Sequence, residues 1–241
     1  MRERPSGVQF CEIKMTSFLK RYTPLQIAIH IYGWSTLVIL IIDFFTGNLT
    51  ANPIQALEQR TGRHAITLLV LSLACTPLNN LFGWRELIKR RRALGLYAFL
   101  YATLHVIIFI DLDYGLAWSL ILQTIIEKPY IVVGVLSFLM LIPLAFTSFD
   151  IWKKRLGKSW KRLHQLIYLI APLVALHYAW GKKGDFFRLQ GEIIRPLIYA
   201  SFIIVLLVMR LPRVRKALAS ARDRIVVLFR KREAQPKVDA A

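Results

Sequence analysis

Residues 161–180 read KRLHQLIYLIAPLVALHYAW. Beyond Gln165 the stretch is apolar or aromatic except for His177. An amphipathic helix on a soluble domain would show a polar residue on every turn. This stretch instead reads as a helix set among apolar surroundings on all sides. It nonetheless carries two imidazoles, His164 and His177, thirteen positions apart. Polar side chains at membrane depth are costly and mark function.

Five further windows share this character. A bilayer core takes roughly 20 apolar residues per helix, because backbone polar groups find no water there. The windows in order are Leu25–Phe45, His64–Phe82, Ala93–Ile110, Tyr130–Phe149, Leu163–Trp180 and Ile193–Leu211. The sequence therefore predicts an all-α, polytopic membrane protein with a six-helix transmembrane bundle. Residues 1–24 form a cytoplasmic N-terminal segment, 25–211 the transmembrane domain, and 212–241 a basic cytoplasmic tail. Met15 is an alternative start to Met1. The segment Asp111–Lys128 is expected to hold an interfacial amphipathic turn, and no internal repeat is visible.

Composition supports the class. The chain has 241 residues, 56% of them hydrophobic, with 33 Lys and Arg against 14 Asp and Glu. A net charge of +19 raises nucleic-acid binding as a reading, but the positive residues come in short bursts between long uncharged runs. Bursts of that kind flank membrane spans. Residues 1–24, the stretches GWRELIKRRR and DIWKKRLGKSWKR, and the tail from Arg210 hold 26 of the 33. The other three connections hold 7. The positive-inside rule then puts both termini of this multi-pass chain in the cytoplasm. The tail reads either as a basic helix on the anionic leaflet or as a solvated tail. The two cysteines, Cys11 and Cys75, make no metal or haem-attachment pattern.

The five histidines, His30, His64, His105, His164 and His177, all fall within or beside the spans. Counting from the basic side at 1.5 Å per residue puts His105 roughly 18 Å in and His177 roughly 21 Å in. Two imidazoles at one depth on two helices suit both axial positions of a haem iron. His164 lies roughly 20 Å from His177, too far for one macrocycle, and an ideal helix turns the two about 140° apart. They share a face only if Pro172 re-phases the helix. A second haem on His164 would need His30, the one other histidine in the inner half. His164 alternatively meets a propionate, a flavin, a quinone or the headgroups. His64 reads as interfacial, at the outer mouth of the second helix. Arg60 and Arg63 nearby suit a propionate or an acidic patch on a partner. Tyr97, Phe99, Tyr101, Trp160, Tyr168, Tyr178 and Trp180 read as core or interfacial belt before they read as macrocycle packing. Nucleophile constellations, Gly-rich phosphate loops and a dinucleotide fingerprint are all missing from the sequence.

The stretches TGRHAITLLVLSLACTPL, RRRALGLYAFLYATLH, KPYIVVG, PLAFTS and LGKSWKRLHQLIYLIAPLVALHYAW together resemble the MsrQ (YedZ) family. These are haem-binding membrane subunits with a ferric-reductase-like transmembrane domain. The resemblance implies a non-catalytic electron-transfer subunit of a methionine sulfoxide reductase system. Its partner would be the periplasmic molybdopterin reductase MsrP. Its donor would be the quinone pool or a cytosolic flavin reductase, and its cofactors b-type haem and FMN. The family's haem-linked histidines match His105, His164 and His177. Larger relatives carry a second histidine on the third helix, where this chain has Arg. Two other functions fit the same residues: a stand-alone transmembrane ferric or quinone reductase, and a transporter. The spans hold few acidic residues for a transport pathway, with Asp43 at an end position.

Overall fold

The computed structural model describes residues 23–182, 184–185, 190–220, 222 and 224. Cys11, Met15 and most of the basic tail lie outside them. The chain forms two compact units, Met1–Leu49 and Thr50–Ala241.

In the first unit, α1 spans Pro24–Phe45. The Thr23 hydroxyl accepts the Gln26 N–H at 3.4 Å and Pro24 takes the first helical position, where a missing N–H costs nothing. Large apolar side chains such as Ile31, Val38, Ile42 and Phe45 are exposed on it. A helix that is apolar without protein cover belongs against lipid.

The second unit begins with α2, Pro53–Phe82, and α3, Arg85–Ile107, which runs on into a π-helical turn over Ile108–Asp113. Then come α4 (Trp118–Glu127), α5 (Pro129–Phe146), α6 (Asp150–Leu156), α7 (Lys158–His164) and α8 (Ile167–Trp180). A two-residue antiparallel pair, β1 (Gly184–Asp185) with β2 (Gln190–Gly191), precedes α9 (Ile194–Val208). The chain is a helical, multi-pass membrane protein. Among the described residues five helices, counting Lys158–Trp180 as one span, are long and apolar enough to cross a bilayer, and a bent helix pair would make a sixth.

The structure corrects four boundaries. First, α2 starts eleven residues before His64. Asn52 caps it, its Oδ1 accepting the Gln55 N–H at 3.1 Å, and Pro53 sits at the first position. The polar residues of its opening turns hide this helix from a hydropathy window. His64 is therefore three turns inside α2 instead of at its mouth. Second, α9 has 15 residues, about 22 Å of helix against about 30 Å of hydrocarbon. It is long enough only together with Pro212–Ser220, which turns away by 79° where Pro212 lacks the N–H to continue. Third, the fifth span breaks at Gln165–Leu166, so that turn, and not Pro172, separates His164 from His177. Fourth, Asp111–Lys128 holds more than a turn: α4 turns Ile121 and Thr124 inward and leaves Trp118, Leu122 and Ile126 exposed.

Contacts fix the directions of the helices. Ser72 donates to the Arg91 carbonyl at 3.0 Å, so α2 and α3 form an antiparallel hairpin, turned by Gly83 in the left-handed region at φ +71°. Thr67 meets Tyr199 at 2.7 Å and Arg210 donates to the Leu73 carbonyl at 2.6 Å, so α2 and α9 run parallel. Tyr168 lies under Arg210 while Tyr178 packs on Tyr199, so α8 opposes α9. Tyr101, Ile66, Leu68, Leu73, Ile170, Ile193 and Ile203 are among the fully buried side chains of this unit. Several of its hydroxyls are satisfied within their own helices: Thr61 donates to Leu57, Thr67 to Arg63 and Ser137 to Val133, each at 2.7 Å. An unpaired hydroxyl in hydrocarbon would cost several kcal/mol, and this i−4 bond removes the cost.

The same directions gather the basic bursts of this unit at one end. Arg92 reaches Asp150 at 3.4 Å and lies over the Phe149 ring, and Arg210 closes against α2 and α8.

Candidate metal centre

His105 stands in the last turn of α3 and His177 in the last turn of α8. These helices run the same way, so their final turns lie at one level. The two imidazole centres are 6.3 Å apart with ring planes inclined at 76°.

Each ring is held through Nδ1. His105 Nδ1 lies 3.0 Å from the Glu58 carbonyl oxygen on α2. His177 Nδ1 lies 2.7 Å from the Tyr130 carbonyl oxygen on α5. A carbonyl only accepts, so Nδ1 carries the proton in both rings and the Nε2 lone pair is left for a metal. Such a second bond fixes both tautomer and ring orientation at metal sites.

Two glycines complete the arrangement. A Cβ on Gly62 would stand 3.4 Å from the His105 ring, and one on Gly134 only 2.7 Å from the His177 ring. Each glycine sits four residues after the carbonyl that anchors the same imidazole. The device is thus used twice: a helical carbonyl binds Nδ1, and one turn on a missing side chain admits the ring.

These residues fit haem. Two imidazoles bound to one metal at about 2.0 Å each place their ring centres about 6 Å apart, close to the separation seen. Among the described residues no group of three or more His, Cys, Asp or Glu converges on a point. Two nitrogens alone suit an iron whose other four positions a porphyrin already fills.

His164 belongs to the other end of α5. Its Nε2 lies 3.1 Å from Thr147 Oγ1. That hydroxyl spends its proton on the Pro143 carbonyl at 2.6 Å, so it accepts from His164 and Nε2 carries the proton. The Trp160 ring packs against His164 at 4.2 Å, tilted by 33°, and the Trp160 indole N–H donates to the Thr147 carbonyl at 2.8 Å. His64 packs its ring against buried Tyr101 at 5.5 Å. His30 lies exposed on α1 in the first unit. Of the aromatics, Tyr97 and Tyr101 are core, Phe99 stacks on Phe138, and Trp180 is exposed.

The sequence reading missed Glu58, Gly62, Tyr130 and Gly134. The two carbonyls have no letter in a sequence. The glycines do leave a signal, because each stands inside an otherwise helical run, where Gly costs about 1 kcal/mol against Ala and calls for a packing reason.

Comparison with known proteins bears on this site. Residues 61–175 match the family model described as "Ferric reductase like transmembrane component". A "Protein-methionine-sulfoxide reductase heme-binding subunit MsrQ" of Xanthomonas axonopodis pv. citri (strain 306) is 45% identical over 159 residues, 66% of this chain and 70% of that one. The protein of the same name from Cronobacter sakazakii (strain ATCC BAA-894) is 37% identical over 198 residues, 82% of this chain and 96% of that one.

Proposed function

This chain belongs to the MsrQ family, and on that premise we propose that it is the membrane electron-transfer subunit of a methionine sulfoxide reductase system. One observation carries the reading: two imidazoles from α3 and α8 face each other with Nδ1 tied to backbone and Nε2 free. We assign His105 and His177 as the axial ligands of a b-type haem. Bound there, haem supplies a one-electron carrier inside the apolar layer, with its potential set by ligands, hydrogen bonds and burial. The chain's own part is to hold two neutral imidazoles rigidly, so that a change of iron charge needs little movement.

The acceptor is a periplasmic reductase of the MsrP type. Reducing a sulfoxide takes two electrons and two protons and releases its oxygen as water. The donor is the quinone pool or a cytosolic flavin reductase. The charge asymmetry supports a topology with the basic end and both termini in the cytoplasm and the His105–His177 end toward the periplasm of the inner membrane.

FMN enters through the family resemblance. At the basic end Thr76 Oγ1, Asn79 Oδ1, Asn80 Nδ2, Arg90 Nε and Arg210 Nε are buried without hydrogen-bond partners among the described residues, and the four of them that can donate suit a phosphate. Arg91 lies within electrostatic range of Arg210 and His164. We therefore group His164 with this second region and not with the iron, and we assign no role to His30.

The functional test is electron delivery. Purified protein, reduced and mixed with the periplasmic reductase and an oxidised methionine substrate, should show rapid haem reoxidation. Slow reoxidation there, beside fast reaction with ferric chelates, would favour the stand-alone ferric reductase reading.

A further inference from the structure

At the end of the bundle that holds the paired imidazoles is a cavity of about 390 Å³, a size that takes a small ligand group. Its lining includes Gln59 and Arg63 of α2, Tyr178 of α8, Lys182 just beyond it, Glu192, and Arg195 of α9. Three of these positions adjoin the groups that fix the imidazoles. Gln59 follows Glu58, whose carbonyl holds His105; Arg63 follows Gly62, which the His105 ring faces; Tyr178 follows His177.

The cavity is cationic beyond its own needs. Lys182 donates to Glu192 and, at 3.0 Å, to Gln59 Oε1. That hydrogen bond holds the Glu192 carboxyl below the usual carboxylate range, so the one acid is already balanced. Arg63 uses Nε on the Gln59 carbonyl at 3.2 Å. Neither Arg63 nor Arg195 forms an ion pair among the described residues. Both act on Glu192 through space without bonding to it, so their guanidinium forks suit further carboxylates, which they bind in a bidentate manner.

We propose that Arg63 and Arg195, with Lys182 as the cationic wall between them, receive the propionate side chains of the haem held by His105 and His177. The inference rests on the haem reading above. It orients the porphyrin, with the one edge that carries both propionates toward these cations and the opposite, apolar edge toward the bundle.

The test uses the full chain, purified without haem in mild detergent and titrated with haemin and with haemin dimethyl ester, whose propionates carry no charge. Soret absorbance reads binding of either. The wild-type protein should prefer haemin by on the order of tenfold, the worth of one hydrogen-bonded charge pair. Arg63→Gln/Arg195→Gln should bind both porphyrins alike, near the wild-type affinity for the ester. Arg63→Lys/Arg195→Lys should keep most of the preference, and each single Gln variant should lose part of it. Equal affinities in the wild-type protein, or a preference that survives both Gln substitutions, would overturn the assignment. Wild-type protein that binds neither porphyrin would instead fell the haem reading beneath it.

Discussion

His177 and His164 lie on one broken span, thirteen residues apart, and the structure holds them by opposite nitrogens. His177 is tied through Nδ1 to the Tyr130 carbonyl at the start of α5. His164 is tied through Nε2 to the Thr147 hydroxyl at its end. The partner decides the tautomer, and the tautomer decides what the ring can do. A carbonyl partner leaves an exposed Nε2 lone pair, which is how His105 is held as well. A hydroxyl that has spent its own proton consumes Nε2 instead. Residue type alone makes these imidazoles equal, and their second bonds make them different.

The strongest way to break the contrast is to remove the rings. His105→Ala and His177→Ala should each abolish the bis-imidazole spectrum of the purified protein, and His164→Ala should leave it in place. If all three variants behaved alike, the contrast would be empty.

Next in size is Gly134→Ala. A Cβ 2.7 Å from the His177 ring must displace it, and overpacking of this kind costs about 1–3 kcal/mol. Haem retention measured by competition with an apo-globin should fall by about ten- to a hundredfold. Gly62→Ala, where the added carbon would meet His105 at an ordinary 3.4 Å, should change retention less than about threefold. Equal losses at the two glycines would mean that ring clearance is not what they provide.

The smallest effect is expected at the other end. Thr147→Val removes the acceptor of His164 and should lower stability by about 1 kcal/mol, read as an earlier loss of helical signal on heating in detergent. The Soret and α bands should not move. A shifted spectrum would tie His164 to the iron after all.

Much of this was legible beforehand. Apolar runs gave the spans, and counting residues from the basic ends put His105 and His177 at one depth, where the structure has their rings 6.3 Å apart. Three things were hidden, each for a physical reason. The start of α2 is polar because it lies at the rim of the bundle, so hydropathy passes over it although Asn52 and Pro53 mark a helix start. The break at Gln165–Leu166 has no glycine or proline to announce it. The anchors of both imidazoles are backbone carbonyls, chosen by packing and not by residue type.

The most direct measurement is near-infrared magnetic circular dichroism of the ferric protein, whose charge-transfer band identifies the axial ligand pair. The wild-type protein should show a bis-imidazole band that disappears in His105→Ala and in His177→Ala while His164→Ala retains it. An undiminished bis-imidazole band in both of the first two variants would contradict the account.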